Sequence, residues 1–276
     1  METDIMDQKS KVVLITGGSS GIGRAIGEFL HQKDFRVYGT SRNPSRVNGS
    51  VFPLLSLDVR DGSSIKECVG QLMAKEGRID VLVNNAGVGI TGPLEEIPME
   101  QIRANFETNF FGPIGVMQAV LPVMRAQKSG LIINITSIAG YMGLPYRSVY
   151  SASKGALELI TEALRMETRQ FGVQITNVAP GDFATNIAAG RYHAPVIAGS
   201  AYEKVYGQTL RAMDSHVDGG SSPEMMAHAI HYIITQKNPE VRYKVGAFMQ
   251  KFSVVLKRVL PGKWYEKMLM KHYKLD

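Results

Sequence analysis

Short β-branched apolar runs alternate with longer amphipathic stretches along this chain, the pattern of βαβ units that build a parallel sheet. The runs predict strands at Val12 to Thr16, Arg36 to Thr40, Phe52 to Leu57, Val81 to Asn84, Leu131 to Thr136 and Gln174 to Ala179, with a seventh near Tyr243 to Val245. They are almost continuously apolar rather than alternating, as strands covered on both faces are. Between them, helical spacing predicts helices at Ile22 to Gln32, Ser63 to Glu76, Met99 to Gln127, Val149 to Phe171 and Pro223 to Gln236. Right-handed crossovers distribute such helices over both faces of the sheet. With no linker and no repeat, the expectation is one α/β domain over residues 1–276, a doubly wound parallel sheet of seven strands.

Two segments escape this pattern. Residues 187–222 show no period and carry several Gly and Ala, which predicts a mobile loop or short helices over a substrate site. In the extension 246–276, Phe248, Met249, Phe252, Val255, Leu256, Val259 and Leu260 recur at helical spacing with Lys251, Lys257 and Arg258 between them. Pro261-Gly262 then stops that helix before Lys263-Trp264-Tyr265. Packing on its own domain or across a dimer is the expectation for this stretch; contact with an anionic membrane surface and a role as substrate lid are the alternatives.

The composition is that of an ordinary globular protein, 44% hydrophobic and 20% charged over 276 residues. The net charge of +6 sits in the tail, since residues 237–276 hold ten Lys or Arg against three Asp or Glu. A basic stripe with interleaved stacking aromatics is missing, so nucleic acid is not an expected partner. One cysteine rules out an internal disulfide framework and a thiolate zinc cluster. That cysteine usage, an N-terminal stretch without an apolar core and the lack of a spanning run predict a cytoplasmic protein. Cys68 shares a helical face with Ile65, Val69 and Leu72 and is expected in the core. His228 and His231 lie one turn apart without a third ligand, so no metal site is expected.

The first strand runs into Gly17-Gly18-Ser19-Ser20-Gly21-Ile22-Gly23, where a helix begins at once. Glycines there let the backbone approach a pyrophosphate and aim amide N–H groups and the helix N-terminus at it. Gly17, Ser19, Ser20, Gly21, Ile22 and Gly23 are therefore candidate cofactor contacts. The same stretch satisfies the G-x-S-x-G elbow of serine hydrolases, a rival reading weakened by its place on the first strand.

Tyr150 and Lys154 are four apart on a helix and share one face. An ammonium beside a phenol favours the phenolate, so Tyr150 is expected to have a lowered pKa and to exchange a proton with a carbonyl or alcohol oxygen. Ser137, arriving from a strand end, can donate to the same oxygen. With the glycine turn, Asp58, Asn84-Asn85-Ala86-Gly87, Asn109 and Pro180-Gly181, these residues stand in the order and approximate spacing of one family. The first 186 residues resemble the short-chain dehydrogenase/reductase family, with its Rossmann-type fold.

That resemblance implies a catalytic set of Asn109, Ser137, Tyr150 and Lys154, with Lys154 also holding the nicotinamide ribose and Asn109 fixing a relay water. It further implies dinucleotide contacts from Asp58 and Val59 at the adenine, from Asn85, Ala86 and Gly87, and from Pro180, Gly181 and Thr185 at the nicotinamide. A homo-oligomer, dimer or tetramer, is implied as well. The second strand ends in Ser41-Arg42 with no acid to bind a ribose 2′-hydroxyl, which predicts NADP(H), with Arg24 and Arg46 as second cations. For the substrate, Ser137, Ile138, Tyr141, Leu144, Tyr150 and Tyr192 form a candidate lining that is apolar and aromatic, without clustered Arg or Lys. That lining predicts a small-molecule apolar carbonyl substrate, steroid-like, lipid-like or xenobiotic. A nucleotide-sensing protein without turnover is the non-enzyme alternative.

Overall fold

A computed structural model describes residues 11–183, 191–218 and 220–275. Its main sheet is parallel throughout, in the order β3-β2-β1-β4-β6-β7-β9. The strands are β1 (Val12–Ile15), β2 (Arg36–Ser41), β3 (Leu54–Ser56), β4 (Val81–Asn84), β6 (Gly130–Ile135), β7 (Val173–Pro180) and β9 (Arg242–Val245). The register pairs Val13 with Val37 on one side of β1 and with Val81 on the other.

Alternate residues of β1 feed two separate cores, as the pleat requires. Val13 and Ile15 pack with Ile26 and Leu30 of α1 (Gly21–Gln32) and Ile230 and Ile233 of α7 (Pro223–Thr235). Val12 and Leu14 pack on the opposite face with α2 (Gly62–Glu76), α4 (Gly112–Gln127) and α5 (Ser148–Thr168), through Cys68, Leu72, Val120 and Leu157. Local signals set the helix ends. Asp61 caps α2 by accepting from Ser63 N at 2.8 Å, and Gly77 closes it in the left-handed conformation. Ser222 caps α7, with Pro223 at its first turn.

All strands point the same way, so their C-terminal ends share one edge. The chain crosses over on either side of β1 and β4, which leaves a crevice there.

Three elements depart from expectation. β3 starts at Leu54 rather than Phe52, because the Phe52 ring turns into the core against Gly27 and Gly39, where an added Cβ would come within 2.4 and 2.6 Å of it. The helix predicted from Met99 to Gln127 is interrupted. α3 (Met99–Phe106) passes through a π-helical turn at Glu107–Phe111 before α4, and Asn109 sits in that turn. Such turns are frequent at functional sites.

The described residues of the segment 187–222, which are 191–218 and 220–222, are more regular than expected. β8 (Tyr192–His193) pairs with β5 (Ile90–Thr91), and α6 (Glu203–Asp218) follows. The extension folds into two helices, α8 (Phe248–Val259) and α9 (Gly262–Tyr273).

Candidate active site

A cavity of about 480 Å³ opens at the crevice, lined by Gly17, Ser19, Ser20, Gly21, Ile22, Ser41, Arg42, Asp58, Val59, Asn85, Ala86, Gly87 and Tyr192. The glycine turn that forms its floor is tied down from behind. Gly17 N donates to Thr40 Oγ1 at 3.1 Å, and Asn85 Nδ2 donates to the Thr16 and Gly17 carbonyls at 3.0 and 3.2 Å. Thr16 Oγ1 accepts from the backbone N–H of Asn85 and Ala86, both at 3.0 Å. Gly17 has φ of +65°, and a Cβ on Gly23 would lie 2.3 Å from the Gly17 carbonyl. The turn thus has the bare, close-packed backbone that an approaching pyrophosphate needs, and the elongated cavity fits a dinucleotide.

At the cavity's outer end, Ser41 and Arg42 follow β2 with Arg42 exposed, and Arg24 is otherwise engaged. It pairs with Glu28 at 2.7 Å and donates to Gly49 O at 2.8 Å. Asp58 binds Arg60 through both carboxylate oxygens, and this guanidinium holds its pKa below the usual carboxylate range.

The predicted catalytic residues come together at the inner end. A Cβ on Gly87 would stand 3.2 Å from Asn109 Oδ1 and 3.4 Å from Lys154 Nζ. Lys154 is buried and donates to the Ile135 carbonyl at 2.9 Å. Burial lowers its pKa to about 8, opposed by the charge of Glu158 one turn on. Ser137 caps a short 3-10 turn by accepting from Ala139 N at 3.1 Å, and it lines the same small cavity as Tyr150.

One expectation is reversed. The Tyr150 pKa is raised, not lowered, because burial of the phenol outweighs everything acting against it. The cations weighing most on it are Arg147 and Arg191, while the Lys154 ammonium is committed to the Ile135 carbonyl.

Asn109 is held in place by its own hydrogen bonds. Its side chain spans one residue of backbone, with Oδ1 accepting from Val88 N and Nδ2 donating to Val88 O, each at 2.8 Å. Asn105 and Ser153 join it, the Ser153 hydroxyl donating to Asn105 Oδ1 at 3.0 Å.

A second, smaller cavity adjoins, lined by Ile22, Ser137, Tyr150, Pro180, Gly181 and three charged side chains, Arg147, Asp182 and Arg191. Arg147 faces Asp182 at 3.8 Å, and Gln250 of α8 grips Asp182 by donating to Oδ2 at 2.8 Å while accepting from its backbone N–H at 3.2 Å. This corrects the expectation of a lining without clustered cations. Ile138, Tyr141 and Leu144 instead pack with Val254, Tyr265, Met268 and Leu269 under the C-terminal helices. Tyr192 stays beside the site, packing with Ile90, Val149 and Tyr150. Thr185 lies outside the described residues.

Sequence reasoning missed Thr16, Thr40, Asn105, Ser153, Arg147 and Asp182. Spacing held signals for three of them. Arg147 precedes Tyr150 by three residues, Ser153 follows it by three, and Asn105 lies one turn before Asn109, so each pair shares a helical face or approach. Glu158 was missed as well. It is buried, accepts from Thr136 and from Asn177 Nδ2 at 3.0 Å, and meets Arg242 at 3.3 Å. His228 and His231 pack on the Phe29 ring.

Comparison with known proteins agrees with this geometry. The family profile for short chain dehydrogenase matches residues 11–195. A 3-ketodihydrosphingosine reductase from Bacteroides thetaiotaomicron is 40% identical over 252 residues, 91% of this chain and 93% of the relative. The 17-beta-hydroxysteroid dehydrogenase type 1 of Mus musculus is 34% identical over 254 residues, 84% of this chain and 72% of that one. Among solved structures, a short-chain dehydrogenase from Streptomyces avermitilis is 33% identical, covers 94% of this chain and 97% of its own, and superposes with a TM-score of 0.79.

Proposed function

The chain belongs to the short-chain dehydrogenase family, and from that premise we propose that it is an NADP(H)-dependent reductase of ketones on amphiphilic, lipid-like molecules. The observation that carries the direction of the reaction is Tyr150. Set beside Ser137 in the second cavity and with its pKa raised by burial, it stays a neutral phenol at physiological pH, the form that gives a proton to a carbonyl oxygen.

The Ser137 and Tyr150 hydroxyls, which line the same cavity, bind the carbonyl oxygen between them and polarise it. A bound nicotinamide dinucleotide supplies the hydride at the carbonyl carbon. Tyr150 then protonates the oxygen, and Arg147 and Arg191 stabilise the negative charge left on the phenolate. Lys154, fixed by the Ile135 carbonyl beside Gly87, holds ribose hydroxyls at the cavity's inner end. Asn109 keeps the Gly87–Val88 backbone in place.

Preference for NADP(H) rests on Ser41 and the exposed Arg42, with no acid at that strand end to accept a 2′-hydroxyl. The substrate class rests on the second cavity. A polar group next to the carbonyl meets Arg147 and Asp182, and Ile22, Ile90 and Phe183 supply the apolar part of the same lining, in keeping with the names of the two curated relatives. A homo-oligomer is part of the same reading, with Leu159 and Met166 leaving an apolar patch exposed on α5. So are a single domain and a cytoplasmic location.

The test is NADPH and NADH consumption with long-chain ketones that do and do not carry a polar group beside the carbonyl, against small aldehydes. Preferential turnover of the polar-headed ketones with NADPH is expected. Tight NADPH binding with no turnover anywhere would favour the nucleotide-sensing alternative. Labelling of Ser19 by a serine-hydrolase probe would favour the elbow reading.

A further inference from the structure

The two C-terminal helices bury only half of their apolar residues. Val254, Leu256, Tyr265, Met268 and Leu269 pack on Ile138 and Met142 and so anchor the extension to its own domain. Phe248, Phe252, Val255 and Val259 do not share that core. They follow one another at intervals of four, three and four, within about 60° of the helix circumference, and they are 72, 39, 43 and 73% exposed. The Phe248 and Phe252 rings stack on each other at 5.8 Å rather than on anything beneath. Trp264, the only tryptophan in the chain, is 69% exposed at the start of α9.

Basic residues rim this stripe. Lys251 and Arg258 flank it on one side by helical spacing, Lys263, Lys267 and Lys271 are exposed on α9, and Lys257 lies on the far side over the Tyr265 ring. Between residues 247 and 275 there are seven Lys or Arg and one acid, Glu266. Among the described residues no helix is long and apolar enough to cross a membrane.

We infer that this face is a docking surface for an anionic lipid bilayer. The apolar stripe and Trp264 enter the headgroup boundary, and the basic rim meets anionic headgroups. A second copy of the chain is the poorer occupant, because a two-fold contact sets the same basic rim against itself. The helix that carries the stripe also carries Gln250, which holds Asp182 at the second cavity. By helical spacing Gln250 lies on the opposite side of α8 from the stripe, so this helix joins the docked face to the wall of the second cavity. The inference stands on the exposed face and its charge, whatever ketone the site takes.

Mixing the full-length protein with vesicles of equal parts phosphatidylglycerol and phosphatidylcholine, or of phosphatidylcholine alone, tests this. Co-sedimentation and a shift of the Trp264 emission to shorter wavelength are expected with the anionic vesicles only, both reversed by high salt. The Phe248→Ser/Phe252→Ser variant should bind them at least about tenfold more weakly while keeping its thermal melt and its turnover of a water-soluble ketone. Failure of the wild type to bind anionic vesicles overturns the inference, as does equal binding to neutral ones. So does a variant that keeps vesicle binding but loses an oligomer, which would make the stripe a subunit contact.

Discussion

Asn109 and Val88 are bound to each other by both polar groups of the asparagine amide, Oδ1 to the Val88 N–H and Nδ2 to the Val88 carbonyl, each at 2.8 Å. The π-helical turn is what brings Asn109 inward to reach a backbone that has no strand partner at that point. Asn109 is thus a positioning residue for the Gly87–Val88 segment beside Lys154.

Replacing it should show as much. Asn109→Ala leaves the Val88 N–H without its partner, while the Val88 carbonyl keeps Asn105 Nδ2 at 3.0 Å, so the loss is about 1–3 kcal/mol for one group left unsatisfied. Chemical denaturation should report a loss of that order, with NADPH affinity falling alongside. Unchanged stability and affinity would mean that the Val88 backbone is held by something else.

Arg42 should discriminate between the two dinucleotides. A charge-assisted contact contributes about 1.5–3 kcal/mol, so Arg42→Ala should raise the Kd for NADPH by about tenfold or more and leave that for NADH nearly unchanged. Calorimetric titration of both ligands against both proteins decides it, and an equal loss for both would remove Arg42 from 2′-phosphate recognition.

Gly23 tests the turn. A Cβ there would collide with the Gly17 carbonyl at 2.3 Å and with Asn85 Nδ2 at 2.5 Å, and the turn has to open to admit it. Gly23→Ala should lose most dinucleotide binding, while Gly70→Ala, where a Cβ meets nothing within 4 Å, should not. Equal binding by the two variants would contradict the role given to the turn.

Lys154 predicts a pH dependence of stability. Its pKa falls from 10.5 to about 8 on burial, so between those values the unfolded chain holds a proton that the folded chain has released. Stability therefore rises with pH across that window, as the cost of burying the charge fades. The melting temperature of the wild type relative to Lys154→Met should climb from pH 8 to 10.5 without cofactor. A difference that is flat or falls would mean that Lys154 is not desolvated as described.

Much of this molecule was legible in the sequence because parallel strands buried on both faces leave near-continuous apolar runs, and each site residue lies at a strand end or helix start that such runs predict. The glycine turn and the Tyr150–Lys154 spacing are local patterns of that kind. The π turn at Asn109 was not legible, since one extra residue in a helical turn leaves the apolar spacing of Met99 to Gln127 nearly intact. Arg147, Asp182 and Gln250 meet only through the fold, from three segments more than 30 positions apart, and no local pattern marks their meeting. The direction of the Tyr150 shift escaped for a similar reason. Spacing puts Lys154 on the right face, but burial and the Ile135 carbonyl decide what its charge does.

The central claim is that Tyr150 delivers the proton in carbonyl reduction, and Tyr150→Phe tests it most directly. NADPH oxidation with a turned-over ketone, alongside the NADPH Kd, should show kcat falling by about 10²–10⁴ with dinucleotide affinity retained. A variant that turns over as the wild type does would contradict the account.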